Sequence, residues 1–470
     1  MREALSHHHT ALLIGSFFAI RLLSFALRQA PTIQGILVVL LLTAAVVLFI
    51  KNPRWAWYLL LAELFLGGAG QFLELFGISI RTLLLATFLT CWIVFTLHIR
   101  YFFLPLALIT WAVLGSLHAL EYNRSVAAII ADLIPYTFFL LILPASSLKL
   151  DEAQKKFFFR LIVAFLIGSA IFSLVTFILF ASGLEVIQGP YYKWFRDVAF
   201  GKITDLGSGF FRIVTPEHLL VAPLLILIGS WLMGSKTIGR DQLEWFALLA
   251  SGALILALNL SRTYFLALLI AFLVLKYKHH WKEWLKVSFI NAALIFVLFT
   301  SVHLIVSGGN PGWDLLGLRF GSIARPGLEE SAWTRTALLG PIWEMIKIHP
   351  IIGTGLGASL TFTHPTTGEI LTTRHFDWGY LELWAELGLI GIILFLTLLA
   401  RVGKILIKKI RQTSDYQDFH VGLLGVLVAL AVMNVTAPVL FHVLGIVALV
   451  GVIAVGAPSK ENLLTKNASI

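Results

Sequence analysis

The chain predicts an all-α polytopic integral membrane protein with about 12–14 transmembrane helices of bilayer length. Three observations lead there. Of its 470 residues, 59% are hydrophobic and 13% charged, against about 25% charged in an average soluble domain, and the mean hydropathy is +0.90. Apolar runs of roughly 17 to 25 residues recur from end to end, each long enough to cross a hydrocarbon layer of about 30 Å as a helix. Lysines and arginines gather in alternate loops between those runs.

In chain order the predicted spans run near 11–28, 33–50, 55–70, 80–98, 102–119, 126–146, 158–183, 213–233, 244–260, 262–275, 287–306, 378–400, 419–434 and 441–456. Arg21 lies inside the first and Gly67-Gly68-Ala69-Gly70 interrupts the third, which is why the helix count is a range. The first span lacks the small-residue cleavage site of a signal peptide and is expected to be retained.

Orientation follows from the basic loops. Lys51 and Arg54, Arg100, Lys149 to Arg160, Lys236 and Arg240, Lys276 to Lys286, and Arg401 to Arg411 fall in alternate connections, which the positive-inside rule assigns to the cytoplasm. Both termini then lie inside, and 184–212, 260–262 and the long stretch 307–377 face outward. The net charge of +10 is mainly a topology signal with anionic lipid headgroups as its partner. It does not indicate nucleic acid, which needs a basic soluble surface. Cys91, the single cysteine, lies in a span and cannot form an intramolecular disulfide. No CxxC, HExxH, P-loop or GxGxxG context appears, so no metal site and no cofactor is expected. His7, His8 and His9 are read as without function.

Arg212, Arg262, Arg335 and the segment Arg374-His375-Phe376-Asp377 all fall on the outward face. A charge beside or inside an apolar span costs about 2.5–3.5 kcal/mol on insertion scales, so such residues are kept mainly for work on something charged. Each also has a plainer reading: headgroup anchor for Arg212, solvated helix face for Arg335, loop residue for His375, helix N-cap for Asp377. In the outer loop, 331–348 reads as an interfacial helix with Ser331 as N-cap and Leu338, Leu339, Ile342, Trp343 and Ile346 as its apolar face, kinked at Pro341. Tyr191, Tyr192, Trp194 and Phe195 read as an interfacial aromatic belt, with sugar stacking as the alternative. Lys193, Arg196 and Lys202 read as solvated loop charges, with an outer basic patch that attracts phosphates as the alternative, and Glu382 and Glu386 read as structural.

Four stretches carry a family resemblance: Phe211-Arg212-Ile213-Val214; Leu260-Ser261-Arg262-Thr263; Arg335 with Trp343 to Gly357; and Tyr380 to Gly391. In them the chain resembles the O-antigen ligase and O-antigen polymerase superfamily of bacterial membrane glycan transferases. The resemblance implies a GT-C-like helical fold in one structural domain, with an N-terminal transmembrane bundle at 1–183 and a catalytic region at 184–470 that includes the outer loop 307–377. It implies transfer of a glycan from an undecaprenyl-pyrophosphate carrier to an acceptor hydroxyl, on another glycan or on the lipid A core, without metal or cofactor. The site would lie at the outer, periplasmic face of the bacterial inner membrane.

The leaving group is a lipid pyrophosphate. Arginine suits it because guanidinium stays ionised and grips phosphate oxygens bidentately, which makes Arg212, Arg262 and Arg335 the candidate pyrophosphate-binding residues. His375 and Asp377 are the candidate catalytic residues. His375, with the better intrinsic pKa of about 6.5, is the expected base or acceptor-orienting group; Asp377 stands in the register where the family carries its histidine and is expected to cap the following helix or orient the imidazole. Family ligases commonly have a His-Asn pair four residues before the leucine that is Leu381 here; this chain has Asp377-Trp378, which leans toward a polymerase. A transporter or flippase of an anionic lipid-linked glycan is the alternative, to be marked by midplane sites and repeat symmetry, and a non-catalytic assembly scaffold is a third.

Overall fold

The computed structural model describes residues 7–95, 103–147, 152–234, 240–325, 327, 329–412 and 417–456. Arg100, Lys149 and Lys236 of the orientation argument lie outside them. The N-terminal part contains α1 (His7–Leu27), α2 (Pro31–Lys51), α3 (Pro53–Leu66), a short hairpin of β1 (Glu74–Leu75) and β2 (Ile78–Ser79), α4 (Ile80–Phe95), α5 (Phe103–Ala119), α6 (Val126–Thr137), α7 (Ile142–Ser147) and α8 (Glu152–Ala181). Then come α9 (Pro190–Asp197), the hairpin β3 (Lys202–Asp205) and β4 (Phe211–Val214), α10 (Val221–Gly234), α11 (Arg240–Asn259), α12 (Arg262–Leu275) and α13 (Trp281–Val306). The remainder is α14 (Trp313–Ala324), α15 (Glu330–Ile348), the hairpin β5 (Leu360–Thr363) and β6 (Ile370–Thr373), α16 (Gly379–Gln412), α17 (Gln417–Thr436) and α18 (Val443–Gly456).

Among the described residues nine helical segments are long and apolar enough to cross a membrane, and four shorter apolar helices accompany them. The protein is an all-α multi-pass membrane protein. Every predicted span falls on a helix, with two corrections. The third stops at Leu66, because Gly68 and Gly70 take positive φ. The predicted span at 213–233 begins later: Phe211–Val214 is a strand paired with β3, Thr204 opposite Arg212, and the helical turn starts at Pro216. The Phe-Arg-Ile-Val run after Gly207-Ser208-Gly209 has the β-branched and aromatic character and the turn glycines of a hairpin. Arg212 therefore projects from a hairpin rather than from a helix entrance.

By alternation of the crossings, α9, α14, α15 and all three hairpins stand on one face of the bundle. There a second, smaller core forms outside the spans, from Leu338, Ile342 and Ile346 of α15, Leu360 and Phe362 of β5, Phe376, and Ala385 of α16. Burying each large side chain away from water contributes about 1.5–3 kcal/mol, and this cap is what holds the 374–377 segment against the bundle. The buried stripe of α15 is spaced i, i+4, i+8, so Trp343, predicted on the apolar face, is exposed instead. Its N-cap is Glu329 and not Ser331, and no side-chain cap bond forms; the carboxylate of Glu329 is engaged elsewhere.

α16 is broken near its start, where Gly388 has φ 67° and ψ −173°. The glycine-rich segment 350–357 runs into the break: Leu389 N–H donates to the Pro350 carbonyl at 2.9 Å, Thr354 N–H to Ala385 O at 2.9 Å and Gly355 N–H to Glu386 O at 2.8 Å. The Trp111 indole donates to Leu387 O at 2.8 Å. Backbone groups freed by the break are thus satisfied by protein, the condition for irregular backbone at membrane depth. A Cβ on Gly388 would meet the Ile351 carbonyl, and one on Gly353 the Glu386 carbonyl, so neither position accepts a side chain. Arg124, from the turn before α6, bonds the carbonyl of Gly355 and, at 3.0 Å, that of Leu356. Two buried pairs tie the N-terminal helices: Arg21 to Glu217 at 2.7 Å and Arg81 to Glu63 at 2.8 Å.

Candidate functional site

The site is organised by the two-residue junction between α11 and α12. Leu260 there has φ 47°, a left-handed conformation that costs a non-glycine residue about 1–2 kcal/mol and that commonly marks a functional position. The last carbonyls of a helix have no intrahelical partner and carry the negative end of its dipole. Two arginines take them up. Arg212 Nε donates to Asn259 O at 2.6 Å, and Arg319 Nη2 donates to Leu260 O at 3.1 Å. Arg262, the first residue of α12, stands beside them and bonds the Ser322 hydroxyl.

The arginines share counter-ions. Glu329 Oε2 lies 3.0 Å from Arg262 Nη1, Glu329 Oε1 pairs with Arg319 Nη1, and Ser322 Oγ donates to Glu329 Oε2 at 3.1 Å. Arg319 and Ser322, three apart on α14, turn inward and are buried, while Leu318, Phe320 and Ile323 of the same helix are exposed. Arg335 Nε stands 3.7 Å from Asp377 Oδ2, and the Trp378 indole fixes the Arg335 backbone carbonyl at 2.9 Å. Burial first, then Arg319 and Arg335, lowers the Arg212 guanidinium to about 9. Partial loss of water, then Arg212, lowers the Lys202 ammonium, with Asp377 acting the other way. Arg319 is lowered by burial, which Glu329 opposes. In each case burial is the leading cause, and neighbouring cations add to it for Arg212 and Lys202. An anion entering this space is what the field favours.

Of the sequence candidates, the structure brings together Arg212, Arg262, Arg335 and Asp377. Arg319 and Glu329 were missed. Arg319 lies in a segment without a motif, and its inward direction is visible only as the i, i+3 partner of Ser322. Lys202, read as a solvated charge, is exposed, and it stands near enough to Arg212 and Arg335 to feel their charge. Arg374 does not: it reaches α6, bonding Asp132 at 2.5 Å and Ala128 O at 2.9 Å. Arg196 is paired with its neighbour Asp197 at 2.7 Å. Trp194 and Phe195 are neither belt nor sugar platform, being buried against Phe72 and Phe172.

His375 and Asp377 flank Phe376, which is fully buried in the cap. The His375 imidazole is exposed and makes no hydrogen bond among the described residues; its neighbouring ring is that of His442. Asp377 has φ 58° and does not cap α16. That helix begins at Gly379, and the Trp378 carbonyl accepts the Glu382 N–H at 2.8 Å. The carboxylate is turned instead toward Arg335. Glu386 is structural, as expected: its Oε1 accepts the Ala358 N–H at 3.0 Å.

The protein is thus a multi-pass helical membrane protein with a cluster of arginines at one face of the bundle. Residues 246–396 match the family model described as O-Antigen ligase, and that match supports membership of the O-antigen ligase and O-antigen polymerase superfamily and a role in polysaccharide assembly. The matched segment carries Arg262, Arg319, Glu329, Arg335, His375 and Asp377, whereas Lys202 and Arg212 precede it. No curated protein matches the chain.

Proposed function

We propose that this protein transfers a glycan from an undecaprenyl-pyrophosphate carrier to an acceptor hydroxyl at the periplasmic face of the bacterial inner membrane, with both termini in the cytoplasm. The observation that carries this reading is the convergence of four arginines, Arg212, Arg262, Arg319 and Arg335, with the exposed Lys202 at their edge and with Glu329, Glu330 and Asp377 as carboxylates acting on them among the described residues. The pyrophosphate lies among the arginines. As the bond between the anomeric carbon and the phosphate oxygen breaks, the lipid pyrophosphate gains negative charge, and preorganised guanidinium groups stabilise that gain. A good leaving group needs no general acid.

Asp377 takes the proton of the attacking hydroxyl. Its carboxylate is at the edge of the cationic group and Arg335 orients it, while the exposed His375, two residues upstream, is the second candidate. Donor and acceptor are both carrier-linked or lipid-linked glycans, and polymerase is favoured over ligase because Asp377-Trp378 stands in place of the ligase His-Asn pair. Surface polysaccharide from a deletion strain tests this. Loss of long chains on every carrier is expected for a polymerase. Long chains stranded on the isoprenoid carrier would make the protein a ligase, and an unchanged polysaccharide would overturn transferase and polymerase alike.

A further inference from the structure

We propose that Glu329 is the residue that makes this anion site select a diphosphate over a monophosphate; the proposal rests on the pyrophosphate reading above. Glu329 is placed as a bound anion would be. Each carboxylate oxygen has its own arginine, Oε1 that of Arg319 and Oε2 that of Arg262 at 3.0 Å, and Ser322 adds a third donor at 3.1 Å. The contacts are largely dry, with Arg319 5% and Arg262 12% exposed at the side chain. An incoming ligand must displace that carboxylate.

A monophosphate lipid exchanges one anion for another on the same two arginines, Arg262 and Arg319, and gains little. A diphosphate can place one phosphate on Arg262 and Arg319 and the other on Arg212, Lys202 and Arg335. The Arg335 Nε is buried without a hydrogen-bond partner, and Arg212 has only its Nε committed. The second phosphate therefore supplies the free energy for displacing Glu329, and a ligand without it is refused. Glu329 stands at the N-cap of α15 in extended conformation, φ −143° and ψ 128°, and bonds no amide of that helix, so its side chain can leave the arginines without unwinding α15.

The test is calorimetric titration of the detergent-purified full-length protein with farnesyl diphosphate and farnesyl monophosphate, which share one tail. The wild type should bind the diphosphate at least about tenfold more tightly. Glu329→Gln should tighten the monophosphate by about tenfold or more, the scale of one charge-assisted contact, tighten the diphosphate less, and so close the gap. Glu329→Asp, which keeps the charge, should keep the selectivity. Weaker binding of both ligands to Glu329→Gln, or an unchanged ratio, would mean that Glu329 only organises the arginines and overturns the proposal. Equal loss of selectivity in the Asp variant overturns the charge argument. A wild type that binds neither ligand overturns the anion site itself.

Discussion

Replacing Arg212 with lysine keeps the positive charge of β4 and removes the fork. The Nε of Arg212 is committed to the Asn259 carbonyl at 2.6 Å, so its two terminal nitrogens are what it offers to an anion. A lysine ammonium can serve the carbonyl or the anion in one geometry, not both. A single charge-assisted contact is worth about 1.5–3 kcal/mol, which corresponds to a loss of roughly 10- to 150-fold in kcat/KM. The assay is turnover of purified carrier-linked glycan by the solubilised enzyme, with melting temperature measured in parallel. A fall within that range at unchanged melting temperature is expected. Near-normal kcat/KM would refute the bidentate reasoning, and a loss of folded protein would show that the carbonyl contact, not the anion, is what Arg212 serves.

Three further outcomes follow from the geometry. Asp377→Asn should lower transfer by about 100-fold or more, the usual scale for losing a general base, while His375→Ala retains most activity; the reverse pattern assigns the base to His375, and two active variants exclude both. Gly388→Ala forces a methyl toward the Ile351 carbonyl in a conformation that costs a side chain about 1–3 kcal/mol, so the melting temperature should drop by several degrees, and an unchanged melt would show that the helix break relaxes freely. A cysteine at Thr366, exposed at the tip of the β5–β6 hairpin, in a Cys91→Ala background should react with an impermeant thiol reagent in outer-membrane-permeabilised cells; labelling only after the inner membrane is broken would invert the assigned orientation.

The spans were legible because insertion demands long apolar runs, and that demand is written residue by residue. Arg212 and Arg262 stood out for the same reason, since an arginine beside such a run is anomalous on its own, whereas Arg335, on a loop helix, was picked out by the family resemblance. Glu329 and Arg319 were not, because a loop helix that is polar on one side looks the same whether that side meets water or a buried ion pair. Trp194 and Phe195 misled in the opposite direction. Aromatic residues after a span suit an interface as well as a core, and only Phe72 and Phe172, distant in sequence from one another, decide between them. The β3–β4 hairpin lay almost wholly in the stretch read as an outer loop, and only Ile213 and Val214 at its end were taken into the apolar run that suited a helix, although Gly207 and Gly209 marked its turn.

The pair of Arg21 and Glu217 bears on how the chain is made. The two residues are separated by 196 positions, so at about 5–20 residues per second the arginine waits roughly 10 to 40 seconds in the bilayer before its carboxylate is synthesised. Arg21 lies near the last turns of α1, close enough to the end for a long side chain to stretch toward the headgroups in the meantime. Its final position is different: turned inward, 2% exposed, with its guanidinium over the Phe17 ring at 3.4 Å and bonded to Leu66 O at 2.9 Å. The pair, and with it the final burial of Arg21, can therefore form only once the segment that carries Glu217 has been made, so the first helix reaches its finished setting late in synthesis.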